Sequence, residues 1–132
     1  MNTITESLVK ILERDLHKLE EEIKLYPTEE SLWSIHGTVK NSAGNLCLHL
    51  CGNLQHFIGA ILGGTTYQRN RDYEFAARDI PISQLISEIQ NTKIAIRTTL
   101  ERLDVATLES KYPTEVLGYP MTTTYFLIHL AA

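Results

Sequence analysis

Five histidines, two cysteines and one charged cluster are the side chains of this sequence that could carry out chemistry. Imidazoles on facing helices can build a metal site inside a helical bundle, so the histidines in helical segments matter most. His49 stands between leucines in an apolar segment, where it could ligate a metal or serve as a hydrogen-bonded core histidine. His56, two turns further on, could line the same cavity or be exposed. His129, in the last apolar segment, is a second and weaker candidate ligand.

The two remaining histidines and the two cysteines are expected to have structural roles. His17 lies among charged residues, so we expect it at the surface, and His36 lies near Trp33, where a structural contact is the commoner role. Cys47 and Cys51 are one helical turn apart, a spacing that can chelate a soft metal. They stand among leucines without a second cysteine pair, so we expect them to pack in the core.

The charged cluster consists of Arg69, Arg71, Asp72 and Glu74. The arginines could bind an anionic substrate through bidentate guanidinium contacts, or the cluster could be a loop held together by its own salt bridges. Trp33 could likewise line a substrate pocket or belong to the core. Glycine-rich phosphate loops, H-E-x-x-H pairs and nucleophile elbows are absent from the sequence.

The composition limits the class of protein to which this chain can belong. The 132 residues, 43% of them hydrophobic, suffice for one domain over residues 1–132. Twelve basic and sixteen acidic residues give a net charge of −4, which disfavours nucleic acid and basic membrane-surface helices. The N-terminal stretch is charged throughout and predicts neither a signal peptide nor a membrane span, and two cysteines fit a reducing compartment. We therefore expect a cytoplasmic protein.

The first element that could position these side chains is an amphipathic helix over residues 3–25. Apolar residues recur there at three- and four-residue spacing between charged ones. Thr3 and Glu6 have the spacing of a capping box, which predicts the helix start. Pro27 predicts its end, because the residue before a proline is pushed out of helical geometry.

The second helix is predicted over residues 43–62 and is closed by the glycine pair that follows it. Its apolar stripe predicts the face turned to the core: Leu46, Leu50, Leu54, Phe57 and Ile61, with Cys47, Cys51 and Ile58 widening it on one side. A more polar stripe with His49, Asn53 and His56 lies on the opposite flank.

Two further helices complete the pattern. A third runs from a cap at Ser83 to Asp104, and a fourth opens near Thr122. The segments 65–81 and 105–120 are predicted as a structured loop and as a loop that packs down. The fourth helix runs into Leu130, Ala131 and Ala132 without a polar last turn, which predicts a helix cut roughly in half. The whole is predicted to be an all-α, up-down-up-down four-helix bundle with a truncated fourth helix.

Two stretches carry a family resemblance: NSAGNLCLHLCGNLQHFIGAILGG in the second helix, and RNRDYEF after it. They resemble the DinB-like superfamily of bacterial four-helix proteins, in a branch of unknown function. The resemblance extends over essentially the whole chain, to TTYFLIHLAA at its end. It implies a divalent metal, nickel or zinc, held by three histidines at the mouth of the bundle cavity.

The resemblance also implies which residues would serve that site. His49 matches the ligand from the second helix, and Asn53 is a possible partner of that ligand or a substrate contact. The other two ligands form an H-x-x-x-H pair, and His129 matches a histidine one turn before it. Both would then fall beyond Ala132, so the metal site of this chain is expected to be incomplete.

Two functions follow as hypotheses. Related DinB-like proteins include S-transferases and isomerases that use a low-molecular-weight thiol, which predicts a metal-dependent thiol transferase or hydrolase-like enzyme acting on a small molecule. Its substrate pocket would include Trp33, Asn53, His56, Arg69 and Arg71. The alternative is a non-catalytic helical module for binding or dimerisation. A homodimer is expected in either case, because DinB-like proteins often pair through helix faces.

Overall fold

The computed structural model describes residues 1–35 and 41–132, and the described chain is all-helical, as the hydrophobic periodicity predicts. Its segments are α1 (Thr3–Lys24), α2 (Glu29–Leu32), α3 (Ala43–Leu54) with a π-helical continuation (Gln55–Ala60), α4 (Arg71–Ala76), α5 (Ile82–Leu100), α6 (Val105–Glu109) and α7 (Thr123–Ala131). Among the described helices, none is long and apolar enough to cross a membrane. His36 lies outside the described residues.

The two predicted helix caps are wrong in detail. Asn2, and not the Thr3 and Glu6 pair, caps α1, because its side-chain oxygen accepts the backbone N–H of Thr5 at 2.9 Å. Ser83 does not cap α5, which already begins at Ile82 after a proline. The first free N–H of α5 instead donates to a Glu29 carboxylate oxygen at 2.9 Å, which ties α5 to α2.

The directions of the helices also differ from the predicted up-down-up-down order. Hydrogen bonds join Arg97 to Glu13 and Gln90 to Glu20, so α5 runs antiparallel to α1. Gln55 bonds to Glu88 near the start of α5. Near the end of α5, Thr99 lies against the last turn after α3, so α3 and α5 are parallel.

The last helix completes an up-down-down-up arrangement. Phe126 of α7 packs on Phe57, while Leu130, further along α7, lies near Leu50 at an earlier position of α3. α7 is therefore antiparallel to α3 and parallel to α1. Parallel neighbours need a connection that returns along the bundle, and the segment from Thr65 to Pro81, predicted as a loop, makes this return and contains α4.

The face of α3 that enters the core lies on the widened side of the predicted stripe, and the prediction was wrong for Leu46 and Leu50. Leu46 and Leu50 are 43% and 46% exposed, because α3 packs its other face on α4 and α5. The core-facing residues are Cys47, Leu48, Cys51, Leu54 and Ile58. The cysteines thus pack in the core as predicted. Cys47 donates a hydrogen bond to Cys51 and is buried, and both effects raise the pKa of the Cys47 thiol.

A π-helical turn ends this long helix and joins it to the base of the bundle. The backbone N–H of Ile61 donates to the carbonyl of His56 at 3.0 Å, five residues back instead of four. The carbonyl of Phe57 accepts the hydroxyl of Tyr112 at 2.6 Å. Tyr112 is 1% exposed, so the segment after α6 packs down on the bundle as predicted.

Candidate functional site

His49, Glu74 and Arg69 form a compact charged cluster where α4 meets α3. Nδ1 of His49 lies 3.2 Å from Oε1 of Glu74. Arg69 donates two hydrogen bonds of 3.0 Å to the same carboxylate, from Nε to Oε2 and from Nη2 to Oε1. Glu74 is only 4% exposed, whereas the His49 side chain is 27% exposed. A buried carboxylate is therefore paired on one side and turned to an accessible imidazole on the other.

Small and polar residues of α3 make room for this carboxylate and hold α4. A Cβ atom on Gly52 would overlap with Oε2 of Glu74, so the carboxylate occupies the space that a larger residue would need there. The Asn45 side-chain amide donates to the backbone carbonyls of Glu74 and Ala77, at 3.0 and 2.9 Å. These two bonds satisfy carbonyls at the end of α4 and fix its position against α3.

Nδ1 of His49 faces both members of the Arg69–Glu74 pair. A carboxylate only accepts hydrogen bonds, so the bond to Glu74 forms in the tautomer with the proton on Nδ1. Nη2 of Arg69 lies 3.1 Å from the same nitrogen and donates to it in the tautomer with the proton on Nε2. In the first tautomer, Nε2 keeps a free lone pair.

Aromatic rings link this cluster to the other two histidines predicted for the site. The Arg69 guanidinium lies 6.0 Å from the centre of the Phe57 ring, and His56 packs edge-on against that ring at 4.7 Å. Phe57 contacts Phe126 at 5.4 Å, which in turn stacks with His129 at 6.1 Å. A chain of ring contacts thus connects the three histidines.

The remaining predicted residues lie in different places. Arg71 is exposed and sits over Phe75, the ring that packs against His49 at 4.8 Å. Trp33 is 6% exposed, lies flat against Gly44 and donates its indole N–H to the carbonyl of Ile80. Its position is that of a core residue, one of the two roles open to it. Asn53 borders a furrow beside α7.

A small polar pocket of about 180 Å³ opens behind the cluster. Glu74 and Glu88 both line it, together with Tyr67. Burial raises the pKa of the Tyr67 hydroxyl, and the nearby carboxylate of Glu74 raises it further. The phenol is thus held neutral beside two carboxylates.

The donor set around His49 does not complete a metal site among the described residues. Catalytic zinc takes three protein ligands, and the described chain brings together one such group of three on α1, the exposed His17 and Glu21 with the buried Glu20. Its Glu20 already accepts a bond from Gln90. His49 is one prepared ligand position, and no set of three described ligands surrounds it.

The chain matches no protein-family model, no curated protein and no solved structure at a significant level. The resemblance to DinB-like proteins therefore stays a prediction.

Glu74 has a larger role here than its place in the sequence suggested. It appears there only as one member of the charged cluster, whereas in the fold its carboxylate contacts both Arg69 and His49. A signal was present in Gly52, a glycine in the middle of a helix one turn from a histidine. Such a glycine costs helix stability and often marks a close approach by another group.

Proposed function

We propose that this protein is a metal-dependent enzyme of the DinB-like kind that acts on a small-molecule thiol, with His49 as one metal ligand. One observation carries the proposal: Nδ1 of His49 faces the buried carboxylate of Glu74, which leaves Nε2 to bind. Histidines that ligate metals regularly donate their other ring N–H to a carboxylate in this way.

Each residue of the cluster has a definite task in this proposal. Arg69 holds the Glu74 carboxylate, and Glu74 fixes the ring orientation and the tautomer of His49. A zinc or nickel ion lowers the pKa of a thiol and holds the thiolate for nucleophilic attack. Since the described residues give one ligand and not three, we assign no reaction step to the ion. Arg71, exposed beside Phe75, is available to an anionic part of the substrate.

We propose further that the protein works in the cytoplasm as a homodimer and binds no nucleic acid. The net charge of −4 supports the last point, since a nucleic-acid surface needs a basic face. Retention on DNA in filter binding at low salt would contradict it.

Metal analysis of purified variants tests the proposal. We expect the single ligand position at His49 to bind zinc or nickel weakly, with the binding lost in His49→Ala and about 10 to 100 times weaker still in Glu74→Gln. The matched control is His17→Ala, which removes the imidazole of the other ligand group.

The two histidine variants distinguish metal bound at His49 from metal bound at His17. Metal lost in His49→Ala but kept in His17→Ala supports the proposal. Metal that depends on His17 alone places the ion at the group of His17, Glu20 and Glu21 on α1 and contradicts the proposal, as does a protein that binds none.

A further inference from the structure

The small polar pocket behind the charged cluster has a wall of negative charge. Its volume is about 180 Å³, and the two charged side chains that line it are those of Glu74 and Glu88. No basic side chain of the described residues lines it. Arg69 neutralises the Glu74 carboxylate through two hydrogen bonds. The negative charge that the pocket keeps is therefore that of Glu88.

Glu88 has no cationic partner in the part of the chain that the structure describes. It is half-buried, and its Oε2 accepts a hydrogen bond from the side-chain amide of Gln55 at 3.3 Å. No described lysine, arginine or histidine nitrogen lies within 4.0 Å of its carboxylate. A carboxylate that has lost part of its water gains from an opposite charge placed beside it. Glu88 is thus the group that can attract a cation from solution.

The pKa of Tyr67 shows the same negative potential inside the pocket. Burial raises the pKa of its hydroxyl, the charges of Glu74 and Glu88 raise it further, and Arg69 lowers it by less. The phenol therefore stays neutral, and its oxygen can accept a hydrogen bond.

The rest of the pocket wall offers more hydrogen-bond acceptors. The side-chain amides of Gln68, Asn70 and Gln84 line it, together with the phenol of Tyr73. Asn70 already caps α4, which leaves Gln68 and Gln84 as the available amides. An ammonium group has three donors and no acceptor, so a wall of carboxylate, amide and phenol oxygens suits it. Leu48 adds an aliphatic surface on which a short alkyl chain can pack.

The size and the spread of these groups favour a small organic cation over a metal ion. Water occupies about 30 Å³ per molecule in the liquid, so the pocket has room for a ligand of about six non-hydrogen atoms. A metal ion needs several ligand atoms close together. Among the described residues, no third histidine, cysteine or carboxylate joins Glu74 and Glu88 at such distances.

We propose that this pocket binds a small primary amine in its protonated form, with Glu88 as the counter-ion of the ammonium group. The hydroxyl of Tyr67 and the amide oxygens of Gln68 and Gln84 accept its remaining hydrogen bonds. The site goes beyond the proposed metal function, because His49 is not among the residues that line the pocket.

A titration of metal-free protein with n-butylammonium chloride, followed by NMR, tests the proposal. We expect saturable shifts of the side-chain amide signals of Gln68 and Gln84. Glu88→Gln should weaken the binding about tenfold or more, because a hydrogen bond to a charged group is lost. The matched control is Glu101→Gln, which makes the same change of charge next to α5 but outside the pocket, and it should bind as the parent does.

A second variant keeps the test decisive if Glu88→Gln does not fold. Gln84 is exposed, so Gln84→Lys should keep the fold, and its ammonium group should occupy the pocket and abolish binding. Butan-1-ol, which has the same alkyl chain without the charge, should give no saturable shift.

Four results overturn the proposal. They are the absence of saturable shifts in the parent, equal binding by the parent and Glu88→Gln, equal binding of butan-1-ol, and displacement of the amine by magnesium or calcium chloride at matched ionic strength. The last result would make the pocket a site for an inorganic cation. Because the protein is metal-free, amine binding succeeds or fails independently of zinc or nickel at His49.

Discussion

Two regions on opposite sides of α3 differ in how their side chains are covered. One is the corner where Glu74 of α4 meets α3, and the other is the furrow between α1 and α3 that Leu46 and Leu50 line. At the corner, polar side chains are buried and paired: Glu74 is 4% exposed and Asn45 is completely buried, and each makes several hydrogen bonds. At the furrow, the apolar Leu46 and Leu50 face water. The corner thus has its contacts completed by the chain itself, while the part of the chain that the structure describes leaves these two leucines uncovered.

The largest effect is expected from breaking the corner. Glu74→Ala leaves Arg69 and His49 without their shared carboxylate, and removing one member of a buried pair costs about 3 kcal/mol of unfolding free energy or more. Urea denaturation measures this cost. The matched control is Glu13→Ala, which breaks the exposed pair with Arg97 and should cost below about 1 kcal/mol. Equal costs for the two variants would show that the corner is no more important than a surface ion pair.

A smaller effect is expected when the loss of a buried leucine is compared with the loss of an exposed one on the two faces of α3. Leu48→Ala removes a side chain that is 8% exposed and should lower the unfolding free energy by about 2 to 4 kcal/mol. Leu50→Ala removes the same group from the open furrow and should change it by no more than about 0.5 kcal/mol. Thermal unfolding followed by circular dichroism compares them. A large cost at Leu50 would mean that the furrow is already covered in solution.

The smallest effect concerns Tyr112, a polar side chain that is buried as the corner residues are, but at the base of the bundle. Burial raises the pKa of its hydroxyl, whereas a tyrosine in the unfolded chain loses its proton at about pH 10. The folded state keeps this proton longer, so the unfolding free energy should fall as pH rises above about 10.

Tyr112→Phe removes both the titration and the bond to the Phe57 carbonyl. We expect a cost of about 1 kcal/mol at neutral pH and a gap between parent and variant that narrows above about pH 10. Denaturation curves at several pH values measure the gap. A gap that stays constant through this range contradicts the assignment.

The long helices could be predicted from the sequence, because their patterns repeat over many residues. α1 extends over Thr3–Lys24 against a predicted 3–25, and the end of α3 lies before the predicted glycine pair. The caps were less predictable, since Asn2 and Thr3 both have side chains able to cap a helix. Which of them does so depends on backbone geometry that the pattern does not contain.

The helix order and the site partners depend on contacts between distant residues. Nothing local shows that α3 and α5 are parallel, because the direction follows from where the chain from Thr65 to Pro81 crosses the bundle. The same crossing brings Glu74 to His49, twenty-five positions earlier in sequence. The sequence predicted His49 as a candidate ligand from its place in the helix, but not the carboxylate that orients it.

The up-down-down-up order has a consequence for synthesis. α1 packs mainly against α5, and the hydrogen bond between Glu20 and Gln90 joins side chains that are 70 positions apart in the sequence. At a translation rate of 5 to 20 residues per second, α1 waits about 4 to 14 seconds on the ribosome before that partner has been made. During this interval the inner face of α1, with Leu8, Leu12 and Leu16, lacks its main neighbour and stays partly open to water.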